Sequence, residues 1–286
     1  MKILILGASG SVGEPLFRML SPKHDVFGTY NQNKPEEAQE GRWLKWDCSD
    51  TAGLDGILDT VSPDVVVSSF SGDFAEQLEA YGHLANRLRE SSQIMVFIST
   101  ANVFDGDARG DCFEGIPPYP ISPYGKFKQN CEELLRDGIG DRLLVVRLPK
   151  IINAKSVQAL LKQAENAEAA IYSNLYMSLN SAENVACAIS HFIENQKRGI
   201  VHLTSNDSIS VDESIDILLA KIGKTKGYSP QLLDKETYCK LLHCDDISLL
   251  RISDADSFRL TLKSFDADIL SSFNISCREV LDGVEL

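Results

Sequence analysis

Lys2-Ile3-Leu4-Ile5-Leu6-Gly7-Ala8-Ser9-Gly10-Ser11-Val12-Gly13 opens the chain, and its reading decides the fold. The first five residues form a short apolar run of the kind that a strand buried on both faces requires. Gly7, Gly10 and Gly13 then allow a tight reversal in which backbone approaches a ligand closely. The stretch from Ser11 to Leu20 predicts a helix, whose free N-terminal amides and dipole favour an anion. Strand, glycine turn and helix in this order form the context of a dinucleotide pyrophosphate site. Ser9 and Ser11 add hydroxyl donors to the turn, and Val12 lies between them and the last glycine. The competing reading is a glycine-rich strand-to-helix turn with no ligand.

Working outward, further strands are predicted at Asp25 to Tyr30, Trp43 to Trp46, Val65 to Ser68, Ile94 to Ser99 and Leu143 to Arg147. Helices fit between them at Leu54 to Val61, Phe74 to Glu90 and Tyr124 to Arg136. This alternation predicts an α/β protein, a Rossmann-type doubly wound parallel sheet. The rhythm loosens after Arg147, with helical stretches at Ser156 to Glu168 and Ala182 to Glu194 and a strand-like Gly199 to Thr204. From Asn206 onward the pattern is mostly helical and polar, with Val211 to Ile222 its best periodic segment. The expected division is a dinucleotide-binding domain over 1–148, with 182–205 returning to it. A smaller mixed α/β substrate lobe is expected from 149–181 and 206–286. The loop from Ala101 to Pro123 is long for a compact domain, and such loops are more often functional than accidental.

The chain has 286 residues, 43% of them hydrophobic and 24% charged, which is ordinary globular composition. Lys and Arg total 28 against 41 Asp and Glu, and the net charge of −13 repels phosphate backbones and anionic lipid. Neither nucleic acid nor a membrane is expected as a partner. No apolar run approaches the ~18 residues of a spanning helix, and no leader cleavage pattern follows the apolar start, so a cytoplasmic protein is expected. The seven cysteines are scattered and never spaced Cys-x-x-Cys, which suggests neither a disulfide framework nor a structural zinc site. Cys239, His243 and Cys244 lie close in sequence but lack a fourth ligand, and no metal is expected.

NAD sites place an acidic residue about 20 residues after the glycine turn, at the end of the second strand. Here that end reads Thr29-Tyr30-Asn31-Gln32-Asn33-Lys34, with no carboxylate before Glu36. Lys34 instead suits a 2′-phosphate, so NADP(H) is expected in preference to NAD(H), with Tyr30 and Asn31 beside it. Asp47, just after the third strand, is placed to meet the adenine, or else serves as an N-cap or turn residue.

Tyr124 and Lys128 are four apart in a helical segment and so share one face. Thr100 follows Ser99 at the carboxyl edge of a strand, the edge that open α/β folds use for ligands. Free tyrosine titrates near about 10, and a nearby ammonium such as Lys128 favours the phenolate and lowers that value. The three residues suit carbonyl reduction: Tyr124 donates a proton to the developing alkoxide, and Thr100 holds the same oxygen. Taken singly, the bland readings are a solvated lysine, a packed tyrosine and a capping threonine.

The glycine turn, Ser99-Thr100-Ala101-Asn102-Val103-Phe104-Asp105-Gly106 and Tyr124-Gly125-Lys126-Phe127-Lys128 together resemble the extended short-chain dehydrogenase/reductases, in particular the dTDP-4-dehydrorhamnose reductase group. The resemblance covers the first 150 residues and extends more faintly through Ala182 to Thr204. It implies a Rossmann domain with a small C-terminal substrate lobe, and NADPH reduction of a 4-keto nucleotide sugar. It also implies a catalytic triad of Thr100, Tyr124 and Lys128, with Tyr124 and Lys128 touching the cofactor, and a homodimer of the sort common in the superfamily. The family's Asn-Ala-Ala after the fourth strand is replaced by Ser68, Ser69 and Phe70, of which Ser69 is taken as a cofactor contact. An Asn in the following helix is replaced around Glu79. The substrate-facing Pro-Thr pair reads Leu179 and Asn180, and Leu148-Pro149-Lys150 departs as well. Candidate substrate contacts are Val103, Phe104 and Lys150, with Arg147 the alternative to Lys150 for a phosphate. Two other functions fit the same fold: a cofactor-binding regulatory subunit without turnover, resembling that of methionine adenosyltransferase, and a nucleotide-sugar epimerase.

Overall fold

The computed structural model describes residues 1–35, 41–166, 168–252 and 257–284. Glu36, and Ala167 within the predicted helix Ser156 to Glu168, fall outside the described residues. The elements run β1 (Lys2–Leu6), α1 (Gly13–Leu20), β2 (Asp25–Tyr30), β3 (Trp43–Lys45), α2 (Thr51–Val61), β4 (Val65–Ser68), α3 (Phe74–Leu88) and β5 (Ile94–Thr100). There follow α4 (Pro123–Ile139), β6 (Leu143–Leu148), β7 (Lys150–Ile152), α5 (Ala154–Glu165), β8 (Leu175–Met177), β9 (Leu179–Ser181) and α6 (Ala182–Glu194). The chain closes with β10 (Gly199–His202), β11 (Ile209–Ser210), α7 (Val211–Lys221), α8 (Lys235–Leu241), β12 (Phe258–Leu260) and α9 (Cys277–Asp282). Among the described residues no helix is long and apolar enough to cross a membrane.

Two compact units emerge. The first comprises Met1–Ser99, Phe127–Val146 and Ala182–Val201. It carries a seven-stranded sheet in the order β10-β6-β5-β4-β1-β2-β3, with β1 parallel to both β2 and β4. The chain runs outward from β1 to β3, then crosses to β4 on the other side. That reversal makes the crevice beyond the carboxyl ends of β1 and β4 the place where an open α/β sheet accepts a ligand. Leu6 is level with Ser68 at that edge. Strand pleating divides the core: Leu4, Leu6, Val66, Met95, Phe97 and Val145 face Leu54 and Leu58 of α2, Leu84 and Leu88 of α3, and Cys131 and Leu135 of α4. Ile3, Ile5, Val65 and Val67 point the opposite way and are equally buried. Helix α1 lies against α6.

The second unit comprises Thr100–Lys126, Arg147–Ser181 and His202–Leu286. Its three-stranded sheet has β8 at the centre, antiparallel to β11 and parallel to β12, and β7 pairs in parallel with β9. Ile152, Val157, Leu179, Leu218, Val280 and Leu281 form one of its cores. The regular structure after Asn206 is mostly helical, as expected, in α7, α8 and α9, and adds β11 and β12, strands of two and three residues that were not expected. Runs that short fall below any window in which alternation is visible. The same sheet-forming segment accounts for the long loop after Thr100. Ala108 N–H donates to Arg251 O at 2.8 Å and Arg259 N–H to Ala108 O at 3.1 Å. Cys112 N–H likewise donates to Thr261 O at 3.0 Å, and Lys263 N–H to Cys112 O at 2.9 Å. The loop is thus held by backbone pairing to the C-terminal part of the unit rather than left to solvent.

Candidate functional site

The glycine turn is built by contact as much as by torsion. Gly7 sits at φ +80°, and a Cβ there would fall 2.5 Å from the Phe70 Cα, so both backbone conformation and space demand glycine. At Gly13 a Cβ would meet Gly7 O at 2.4 Å, which lets α1 start directly on the turn. Gly7 N–H donates to Thr29 Oγ1 at 2.9 Å, and Gly10 N–H to Gly7 O at 3.0 Å. Just beyond β4, Ser69 Oγ donates to Gly7 O at 3.2 Å and to Leu6 O at 3.3 Å, joining the ends of β1 and β4. Ser68 Oγ meets the Tyr81 hydroxyl at 2.7 Å in the core. The departure at Ser68 and Ser69 therefore supplies hydroxyls that hold the crevice in shape.

Helix α1 differs from its neighbours at its N-terminus. Asp50, Asp73, Asn153, Ser210, Asp234 and Ser276 each cap α2, α3, α5, α7, α8 and α9 with a side-chain hydrogen bond. Val12 stands at the N-cap of α1 and has no side-chain acceptor to offer. The helix start beside the glycine turn is thereby left to an external anion, while the dipole there still favours one. Glycines that admit close backbone approach and an uncapped helix start fit a dinucleotide pyrophosphate.

A cleft over this turn is lined by Gly7, Ser9, Gly10, Tyr30, Asn31 and Ser69, all expected, and by Thr29, Trp46, Cys48, Phe70 and Ser71, which were not. Thr29 was legible in principle, as a hydroxyl at the carboxyl end of β2. Trp46 and Phe70 meet edge to face at 5.0 Å, a contact that spacing does not reveal. Ser11, Val12 and Gly13 lie at the helix start and outside that lining. Asp47 takes the turn role left open above: its carboxylate accepts from Ser49 N–H at 3.0 Å, from Ser49 Oγ at 2.6 Å and from the Asn31 amide. The Ser49 bonds hold its carboxyl below the usual range. Lys34 is exposed beyond the strand end. Among the described residues, Asp47, Cys48 and Glu76 bring possible ligand atoms within 4.8 Å of one another, but burial pushes the Cys48 thiol up and so away from the thiolate a metal needs.

In the second unit, Thr100 ends β5 and caps the short 3₁₀ turn Ala101–Phe104. Its Oγ1 accepts from Asn102 N–H at 3.3 Å and donates to Asn102 Oδ1 at 3.1 Å. Tyr124 stands in the first turn of α4 with 39% of its surface exposed, enough to meet a ligand. A Cβ on Gly125 would meet Asn102 O at 2.3 Å, so the start of α4 rests directly on the turn that Thr100 caps. Asp105 secures that approach: fully buried, it accepts from Ile121 N–H at 2.8 Å, from Ser122 N–H at 3.2 Å and from the Ser122 hydroxyl. Ser122 Oγ in turn accepts from Gly125 N–H at 2.9 Å. Burial raises the Asp105 carboxyl against these bonds. Asp105 was quoted within a motif but not singled out, because a carboxylate in a Gly- and Pro-rich loop reads as a turn residue.

Lys128, one turn further along α4 in the first unit, is buried; its Nζ donates to Ile98 O at 2.7 Å and lies 4.4 Å from the Phe97 ring centre. Burial lowers its ammonium to about 8. Val103 and Phe104 pack with Ala101, Cys112 and Leu262 and are 0% and 1% exposed, so neither presents a surface to a ligand. Arg147 is 1% exposed, with its guanidinium 3.3 Å from His202 Nε2 and 5.1 Å from the Phe104 ring centre. It is structural, and Lys150, exposed at the start of β7, is the cation of the two that solvent reaches. Leu179 and Asn180 are buried, the latter with Nδ2 donating to Leu203 O at 3.3 Å.

Comparison with known proteins agrees with this layout. A dTDP-4-dehydrorhamnose reductase from Burkholderia thailandensis is 27% identical over 255 residues, covering 80% of this chain and 81% of that protein. The crystal structure of a dTDP-4-dehydrorhamnose reductase from Clostridium acetobutylicum superposes with a TM-score of 0.75 at 18% identity, covering 98% of this chain and 97% of that one. Another from Bacillus anthracis, in complex with NADP, gives 0.72 at 16% identity, covering 98% and 97%. Both structures establish likeness of fold. Residues 1–241, more than four-fifths of the sequence, match the RmlD substrate binding domain family, and the chain belongs to it.

Proposed function

We propose that this protein is an NADPH-dependent reductase of a keto group on a nucleotide-linked deoxysugar, in the manner of the dTDP-4-dehydrorhamnose reductases it resembles. The observation that carries the cofactor part is the uncapped start of α1 beside Gly7 and Gly13. NADPH, when bound, supplies the hydride that goes to the carbonyl carbon. Tyr124 gives its phenolic proton to the carbonyl oxygen and regains one from solvent. The Thr100 hydroxyl donates a hydrogen bond to the same oxygen as charge develops on it. Lys128 as an ammonium favours the phenolate and eases the proton's departure. Lys34 offers its charge to the 2′-phosphate, and Lys150 to a substrate phosphate. We assign dinucleotide binding to 1–148 with 182–205, and substrate binding to 149–181 and 206–286.

NADPH oxidation against a panel of 4-keto nucleotide sugars tests this reading, with Tyr124→Phe as control. The variant should lose about 10²- to 10⁴-fold in rate, the usual contribution of a positioned general acid. Equal rates in variant and parent would overturn the mechanism. Cofactor binding with no turnover on any keto sugar would replace it with the regulatory reading.

A further inference from the structure

A carboxylate that the proposed chemistry does not use lies buried one helical turn from Lys128. Glu132 is four residues beyond Lys128 on α4 and is 1% exposed. Charged carboxylates are rarely buried this deeply unless paired and hydrogen-bonded. The Ser99 hydroxyl, from β5, donates to Glu132 Oε1. Lys128 Nζ is fixed by the carbonyl of Ile98, the residue preceding Ser99. Consecutive residues of one strand therefore grip two oppositely charged side chains spaced i, i+4 on one helix, the spacing at which such charges face each other. The strand end and the helix are locked in register by both members.

We propose that Glu132 is a positioning residue for the reductase: the buried counter-charge, oriented by Ser99, that keeps Lys128 an ammonium. This rests on the reading of Lys128 as the charge that tunes Tyr124. Burial alone pulls the lysine towards its neutral form, and the negative charge of Glu132 works against that pull. Neither Cys131 nor the two aromatic rings beside Lys128 supply the same charge. Cys131 also lies against Lys128, and burial pushes its thiol up to about 12, so it stays neutral. The Phe97 and Phe127 rings, 4.4 and 6.0 Å from Nζ, offer only their π faces. On the far side Glu132 shares a cavity wall with Arg136, Asp141 and Arg198.

The test uses the full chain with ¹³C-labelled lysine and glutamate side chains, titrated by NMR, and compares the parent with Glu132→Gln. Gln keeps the shape and can still accept from Ser99, so it removes the charge alone. The Lys128 midpoint should fall by about one pH unit or more in Glu132→Gln, the scale of a close opposite charge. An unchanged midpoint would overturn the proposal. Should Glu132→Gln fail to fold, the parent alone decides: Glu132 must titrate as a carboxylate at pH 7, and finding it protonated there would equally overturn the idea. Both readouts are independent of turnover, so they stand even if no keto sugar is reduced. With turnover, Glu132→Gln should lower kcat about tenfold at pH 8 and less at pH 6, where Lys128 remains protonated, with KM little changed. A purely structural role would give a defect independent of pH.

Discussion

Gly13→Ala puts the packing account of the cofactor turn under direct strain. The new methyl would lie 2.4 Å from Gly7 O, 2.7 Å from Ala8 Cα and 3.0 Å from Ala8 C. Ordinary contact begins at 3.4 Å, so the start of α1 must retreat by roughly 1 Å, and every obstructing atom is backbone with nowhere to swing. Overpacking of this kind costs about 1–3 kcal/mol. Replacing glycine in a helix returns about 0.5–1 kcal/mol of that, leaving a loss on the order of 1–2 kcal/mol in the unliganded protein. At about 2–4 °C per kcal/mol for a chain of this size class, the melting midpoint should drop by roughly 2–8 °C. Gly10→Ala is the internal control, because its Cβ meets Gly7 O at 3.2 Å and needs a shift of only a few tenths of an ångström. Thermal unfolding by circular dichroism should rank Gly13→Ala well below Gly10→Ala, with Gly10→Ala close to the parent. NADPH titration by fluorescence should show weakened binding in both, since Gly10 lines the cleft and the Gly13 amide belongs to the helix start behind it. A Gly13→Ala protein as stable as Gly10→Ala, or one that binds NADPH as tightly as the parent, would refute the reasoning.

Two further outcomes are expected. His202 is fully buried, with Nδ1 between the carbonyls of Cys112 and Lys263 at 3.1 and 3.0 Å and Nε2 facing Arg147. Burial first, and Arg147 second, lower it from 6.5 to about 4. The folded state thus resists a proton that the unfolded chain accepts, and its contribution is complete above pH 6.5 and lost as the pH falls through 4. At about 1.4 kcal/mol per unit this amounts to about 3 kcal/mol, and denaturant melts between pH 7 and 4 should show a shallower decline in His202→Gln than in the parent. Lys34→Ala should lower the preference for NADPH over NADH about tenfold, read from binding titrations of both cofactors; an unchanged ratio would remove Lys34 from the 2′-phosphate.

Legibility from sequence followed the length scale of the interaction. β1, β2, β4 and α6 were read to the residue because each is an apolar run or a periodic face longer than its uncertainty at the ends. β3, β5 and β6 were read to within one residue. The glycine turn was equally plain, since Gly13 answers to Gly7 and Ala8 a few residues before it and Gly7 to its own positive φ. What escaped was set by distant partners: Thr29 beneath Gly7, Phe70 across the crevice, and β12, whose three residues make sense only once β8 lies beside them. Val103 and Phe104 show the same limit from the other side. They sit in a motif that implies a ligand, yet Leu262 and Cys112 cover their side chains.

The buried polar groups share a common logic. Thr100, Asp105 and Ser122 spend their hydrogen bonds on the backbone of the loop and on the first turn of α4. Ile98 and Ser99 spend theirs on Lys128 and Glu132, one and two turns further along that helix. A helix anchored only by apolar packing could slide or rotate by a fraction of an ångström at little cost, whereas directional bonds to a carboxylate and an ammonium leave it one register. General acid catalysis depends on placement at hydrogen-bond range. On the proposed reading, the residues that decide whether Tyr124 works are therefore in large part the ones that hold α4 in place, and they are spread over the stretch from Ile98 to Glu132 where no short motif collects them.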